Sequence, residues 1–319
     1  GLSLYALRPA VMARFAAGLA LLVLAGCTAP QTEGLIADPA GVDAKGQVAD
    51  VPFYPQEEFY CGPAALATVL TWSGDPVTQH EVAPEVYLPG REGTLASDLV
   101  AAARRHGRLA VPVEDLHGLL AEIDAGHPVL VFQNLALDWA PRWHFAVAYG
   151  YDLDSREIFL RSGTVESLAT SLDAFERTWA RADNWAIVVL PPDTLPATAG
   201  SQDVLQAAVG LEQAKRHSAA ATAYATIAER WPESSTARFG EGNARFALGD
   251  YAGAEAAYRR ALEIDEASAP AWNNLAYALA RQGNREAAVE AAESAVRLGG
   301  AQRARYEDTL REVGPSLTP

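Results

Sequence analysis

Residues 56–70 read QEEFYCGPAALATVL, with a single cysteine, Cys61, set against Gly-Pro where an apolar helical run begins. Pro63 suits the first turn of a helix, because the N–H it lacks would have no partner there. A thiol at that point sits on the positive end of the helix dipole beside unpaired N–H groups, and both favour the thiolate. Gly62 puts no side chain beside the sulfur, which would let a ligand backbone approach closely. The competing reading is that Cys61 is a small buried apolar residue, as free cysteines often are.

The chain has 319 residues and only two cysteines, so the context of Cys27 bears on Cys61. Arg8 and Arg14 precede the apolar run FAAGLALLVLAG of residues 15–26, and Cys27 follows directly. About 12 residues are too few to span a bilayer core of about 30 Å as a helix, but they suit the core of a signal peptide. The residues LAGC (24–27) resemble the lipobox of bacterial lipoproteins, in which the cysteine is diacylated and becomes the new N-terminus. The alternative is an ordinary signal peptide with an incidental cysteine. Residue 28 is Thr rather than Asp, which in that class implies a periplasmic, outer-membrane lipoprotein of a Gram-negative bacterium. With Cys27 lipidated, Cys61 is a lone thiol in an oxidising compartment, and hence a candidate reactive group.

The formal net charge is −15, and all but two of the 25 basic residues are Arg. An acidic chain without a Lys/Arg cluster is unsuited to nucleic acid, where affinity comes from neutralising phosphates. No metal-ligand spacing and no Gly-rich phosphate loop is present, so no cofactor is expected.

Residues 27–47 carry Pro and Gly without apolar periodicity and read as a tether. Residues 48–192 mix helices and strands. PAALATVLTWSG, TLASDLVAAARRHG and VEDLHGLLAEIDAG predict helices, the first two ended by Gly74 and Gly107. PVLVFQN, HFAVAYGYD, REIFLRSG and NWAIVVLPP predict strands, the middle two joined as a hairpin through DLDS (152–155). Residues 193–201 form a Pro/Gly/Ser linker. Beyond it, Gly249 and Gly283 lie 34 residues apart, with Ala254/Ala288, Ala257/Ala291 and Ala261/Ala295 in step. The stretch PAWNNLAYALARQGNREAAVEAAESAV resembles the tetratricopeptide repeat. Three repeats fit near 202–235, 236–269 and 270–303, with residues 304–313 as a capping helix, so residues 202–313 form an all-α domain able to fold by itself. The first repeat has Lys215 where the others have Gly.

A cysteine nucleophile needs a base, usually histidine, oriented by a third group. His144 opens a predicted strand downstream of the cysteine and follows Trp139 and Trp143, whereas His80, His106, His117, His127 and His217 lie at helix ends or in polar contexts. His144 could also be a satisfied core or edge histidine. Cysteine on an early helix and histidine on a later sheet is the papain-like order. YPQEEFYCGPAALATVL, GTLASDLVAAARRHG and WHFAVAYGYD resemble the bacteriocin-processing, double-glycine-leader cysteine peptidase family over residues 48–192. The resemblance implies an α+β papain-like domain with Cys61 as nucleophile, His144 as base and Gln56 as the side-chain donor of the oxyanion hole. Gln56 lies five residues before the cysteine, where transporter-linked relatives often have six. The family's third residue is Asp or Asn on the strand after the histidine, and this sequence has Ser162 there, in LRSG. A hairpin centred near residue 153 would set Ser162 directly opposite His144 and leave Asp152 and Asp154 in the turn, too far away to reach it.

The expected function is therefore a lipid-anchored periplasmic cysteine peptidase acting on a peptide or protein, with the repeats holding substrate or a protein partner. A catalytically silent peptide-binding scaffold is the alternative. A third option is another acyl transfer, such as cleavage of peptidoglycan amides, which the acidic surface disfavours for an anionic wall polymer.

Overall fold

The computed structural model describes residues 29–56 and 59–314. The expected signal peptide and the lipidation site Cys27 lie outside them. In chain order the elements are α1 Pro30–Ala37, β1 Lys45–Gln47, α2 Cys61–Trp72, α3 Gln79–Val86, β2 Tyr87–Leu88, β3 Gly93–Thr94 and α4 Ala96–Arg105. There follow β4 Leu109–Pro112, α5 Leu116–Asp124, β5 Val129–Asn134, β6 Trp143–Asp152, β7 Glu157–Ser162, β8 Val165–Ser171, α6 Leu172–Ala180 and β9 Ala186–Leu190. The C-terminal helices are α7 Ser201–Gln213, α8 His217–Arg230, α9 Ser235–Ala247, α10 Tyr251–Ile264, α11 Ala269–Arg281, α12 Arg285–Leu298 and α13 Arg303–Val313.

α2 is buried at every position from Gly62 to Leu70, which is how a helix that is apolar all round must be housed. It lies against β6, α3 and α4. The sheet runs β4-β9-β5-β6-β7-β8, with β1 paired to β6 beyond the end of β5, and all the pairings are antiparallel. The four expected strands correspond to β5, β6, β7 and β9. α6 was legible in principle, since Leu172, Phe175, Glu176 and Trp179 are buried at helical spacing and Ser171 caps its start. α3 carries Pro84 inside it and gives a weaker signal, despite its capping box of Thr78 and Glu81.

Residues 30–47 are not the tether their composition suggests. Thr32 and Leu35 are buried. The Glu176 carboxylate accepts hydrogen bonds from the N–H of Gln31 (3.0 Å) and of Thr32 (2.7 Å) and from the Thr32 hydroxyl (2.7 Å), so α6 supplies the cap that α1 lacks locally. β1 then adds a strand to the sheet. Both interactions are with residues more than 100 positions away, beyond the reach of a local reading.

The C-terminal helices form three antiparallel pairs and a capping helix, with Ala220, Ala254 and Ala288 fully buried at matching positions. Gly249 and Gly283 take positive φ at the turn between paired helices, and Lys215 takes the same left-handed conformation in the first pair, with φ +59°. Gly240 and Gly242 lie against the rings of Tyr224 and Tyr258, where a Cβ would collide.

The repeats do not begin a separate core. Val204, Ala207, Ala208 and Leu211 of α7, with buried residues of α8 and Ala237 and Ala244 of α9, belong to the same apolar core as the sheet. A second core starts at Ala254 and Tyr258 and runs to Val313. α7 covers the edge strand β4, which removes an open edge. The segment 193–201, expected as a plain linker, is tied down by buried Glu122. That carboxylate accepts from the N–H of Ala197 (3.2 Å), and from the N–H (2.8 Å) and hydroxyl (2.6 Å) of Thr198. α7 to α9 thus share the core of the sheet, and α9 packs in turn on α10 and the second core through Phe239, Gly242 and Phe246.

Candidate active site

Cys61 opens α2, whose N-cap residue, Tyr60, provides no side-chain cap. The first-turn N–H groups are therefore left for the thiol. Burial is the largest influence and raises the Cys61 pKa above that of a free thiol. Backbone hydrogen bonds from Phe145, Gly62 and Cys61 itself act the other way and do not overcome it. The helix N-terminus therefore fails to give the depressed pKa expected of it, because desolvation of the thiolate outweighs three N–H donors.

Gly62 has a different purpose from the one its position suggested. A Cβ there would lie 2.5 Å from Cβ and Oγ1 of Thr94 on β3, so the glycine admits Thr94 rather than a ligand. The Thr94 hydroxyl is buried without a hydrogen-bond partner.

His144 is the second residue of β6, and its Nε2 lies 2.7 Å from Ser162 Oγ on β7. The next residue, Phe145, contributes the backbone hydrogen bond to the Cys61 thiol, which sets the start of β6 against the start of α2. The imidazole is held down to a pKa of about 4, first by burial and then by the positive charge of Arg142. Both groups are accordingly neutral at pH 7.

The register that joins His144 to Ser162 differs from the expected one. The turn spans residues 153–156, Asp152 pairs with Glu157, and Ala148 pairs with Leu160, with a bulge between Ala148 and Gly150. Val147 pairs with Arg161, and continuing that register sets Ser162 opposite Ala146, two residues beyond His144. A displacement of two preserves the face of the sheet, so Ser162 reaches His144 diagonally. The hairpin turn alone would have shifted the pairing by an odd number, and the bulge restores the parity. Asp152 is at the turn, bound to Lys45 and to the N–H groups of Asp154 and Ser155.

Gln56 is fixed at both ends of its residue: its N–H donates to Gly163 O (2.9 Å) and its Nε2 to Phe145 O (3.4 Å). Phe145 thus links Cys61 and Gln56 through backbone atoms, a role that no side-chain pattern signals. Leu135, Leu137, Trp139 and Trp143 are exposed on and beside the β5–β6 loop, next to His144. Trp143 stacks on Phe132, with ring centroids 5.1 Å apart. Among the described residues, no group of three His, Cys, Asp or Glu is placed to hold a metal ion, and no helix is long and apolar enough to cross a membrane.

Residues 48–187 match the model of the Peptidase_C39 like family. Residues 242–283 and 269–298 match models of the TPR repeat and the tetratricopeptide repeat. A search of curated proteins gave no match. Among solved structures, a Bacillus anthracis protein classed as a C39-like peptidase is 20% identical, with a TM-score of 0.40, over 46% of this chain and 98% of that one. The Yersinia enterocolitica type III secretion chaperone SycD, in complex with a peptide of the translocator YopD, is 18% identical with a TM-score of 0.34, over 35% of this chain and 90% of that one. The chain thus carries an N-terminal α+β C39-like peptidase domain followed by tetratricopeptide repeats, the architecture of a peptidase with protein-interaction repeats.

Proposed function

We propose that the protein is a lipid-anchored cysteine peptidase, with Cys61 as nucleophile, His144 as base, Ser162 orienting His144, and Gln56 with the Cys61 N–H receiving the oxyanion. The observation that carries this reading is the hydrogen bond between His144 Nε2 and Ser162 Oγ, on a strand whose next residue, Phe145, contributes a backbone hydrogen bond to the Cys61 thiol. With Nε2 donating to Ser162, Nδ1 is the ring nitrogen left to accept the thiol proton. The sulfur attacks the scissile carbonyl carbon and the proton passes to Nδ1. The tetrahedral oxyanion is met by N–H donors, and its collapse expels an amine that takes the proton from the imidazolium. Water, deprotonated by the same nitrogen, then cleaves the thioester. Gln56 must exchange Phe145 O for the oxyanion, and its 3.4 Å hydrogen bond is long enough to be given up readily. Cys27 is the proposed lipidation site of a periplasmic, outer-membrane lipoprotein, and the repeats recruit substrate or partner.

The test is peptide hydrolysis. Cys61→Ala and His144→Ala should each lower kcat/KM by about 10³-fold or more, and the double variant should do no worse than either single one. Additive losses, or activity surviving in Cys61→Ala, would sink the assignment. A second reading, a silent peptide-binding scaffold, draws support from the neutral resting pair: a raised thiol and a depressed imidazole form no thiolate–imidazolium pair. Under either reading, iodoacetamide at pH 7 labels Cys61 more slowly than a free thiol. Hydrolysis that a thiol reagent abolishes distinguishes the two.

A further inference from the structure

The seven-stranded sheet ends at β4 on one side and at β8 on the other. α7 covers β4, whereas β8 pairs only with β7 among the described residues. Five of the seven residues of β8 are exposed. Its sequence, VESLATS, carries one charge, no Lys and no Pro, so it lacks the residues that usually keep an open edge from pairing. A register shift between Leu160 and Ser162 is confined to the Val165 end, and the pairing is regular from Leu168 to Ser171.

The direction of the free backbone groups follows from Leu172, whose N–H donates to Arg156 O (2.8 Å) at the end of the ladder. Bonded and non-bonded pairs alternate along antiparallel strands. Thr170 and Leu168 therefore exchange bonds with Ile158 and Leu160, while Ala169 and Ser167 turn their N–H and C=O groups away from β7. No backbone group among the described residues meets them there.

We propose that this edge pairs with β8 of a second copy of the chain, antiparallel and centred on Leu168, so that two sheets join into one. The register is complementary to itself. Ser167 of each copy faces Ala169 of the other, and both present outward groups, so these pairs can exchange four hydrogen bonds. Leu168 meets its own equivalent at the two-fold axis in a non-bonded pair, where side chains come closest. Glu166, the single charge, faces Thr170 of the second copy and is partly balanced by Arg161 at 3.9 Å in its own chain. The two Glu166 residues stay about 13 Å apart along the strands, at about 3.3 Å per residue. Because α7 covers β4, the pairing closes as a dimer and does not propagate from sheet to sheet.

Cross-linking tests the register in the full chain carrying Cys27→Ser and Cys61→Ala, which removes both native thiols. Under mild oxidation Leu168→Cys should form a disulfide-linked dimer, because Cα atoms of a non-bonded pair lie about 4.5 Å apart, within disulfide reach. Its yield should exceed that of Glu166→Cys at least about tenfold, since Glu166 does not face its own equivalent. Equal yields, or no dimer from either, overturn the proposal. Sedimentation of the full chain carrying Cys27→Ser then tests the edge itself, and the parent should pass from monomer to dimer between about 1 and 100 μM. Ala169→Pro removes an outward N–H and no bond to β7, so it should hold the chain monomeric over that range with its helicity retained. Ala169→Lys leaves the backbone intact and sets two lysines diagonally across the axis, so it should weaken the dimer at least about tenfold, most at low salt. A parent that stays monomeric, or a dimer that survives both variants, overturns the proposal.

Discussion

His127 and His144 are each held by one ring hydrogen bond of 2.7 Å, the first to Glu122 and the second to Ser162. The partners make them different objects. Burial pushes the Glu122 carboxyl up, but hydrogen bonds from His127, Thr198 and Ala197 more than offset it and bring it below the usual glutamate range. The cluster is thereby committed to fastening residues 197–198, and with them the start of the repeats, to the first domain. Ser162 is neutral and leaves the burial of His144 unopposed, so that imidazole stays an unprotonated base at pH 7. Equal hydrogen-bond lengths therefore conceal a structural tie in one case and a neutral, buried imidazole in the other.

The contrast breaks most visibly at the tie. Glu122→Ala leaves the N–H groups of Ala197 and Thr198 without their acceptor, and should lower stability by about 3–5 kcal/mol in urea unfolding, with little effect on Cys61 alkylation. A loss below about 1 kcal/mol would show that the repeats are held by α7 packing alone.

Acid acts next, on His144. The folded-state pKa of His144 is about 4 against 6.5 for the free side chain, so between those values the unfolded chain binds the extra proton. Its contribution to stability is present above pH 6.5 and is lost as the pH falls toward 4, by up to about 3 kcal/mol. Denaturant unfolding at pH 4.5 and 7 should show a smaller acid loss in His144→Gln than in the parent. Equal losses would mean that water reaches the imidazole.

Ser162→Ala should lower kcat/KM by about tenfold, about the worth of one hydrogen bond. Ser162→Asp gives His144 a carboxylate partner, which should raise its imidazole pKa and move the acid limb of the pH–rate profile upward. An unmoved limb would show that the limb does not report His144.

The smallest effect belongs to the repeats. Lys215 holds φ +59° where the other two turns have glycine. Lys215→Gly should stabilise the chain by up to about 1 kcal/mol, since the left-handed conformation costs a side-chain-bearing residue about that much. Thermal unfolding reads it, and a destabilised variant would show that contacts of the lysine side chain outweigh the strain.

Ser162 shows how far the sequence could be read. A register centred near residue 153 sets it on the face of His144, whereas the pairing is displaced and contains a bulge. The residue was reached because the displacement at that end of the hairpin is even and side chains alternate with period two. Phe145 and Thr94 escaped any such reasoning, the first because it acts through its backbone and the second because it is seen only as the reason for Gly62.

The sequence by itself determined what local chemistry and repetition encode. An apolar helix opening at Cys61, apolar strands that include the one bearing His144, and the 34-residue spacing of Ala and Gly all follow from side-chain pattern and backbone freedom within one or two turns of chain. Tertiary structure alone decided what depends on distant partners. Glu176 turned a Pro/Gly-rich segment into a docked helix, Glu122 turned a linker into a fastening, and α7 joined the first repeat to the sheet core. It also decided the protonation of the candidate site, because desolvation is set by everything packed around a group and not by its neighbours in sequence.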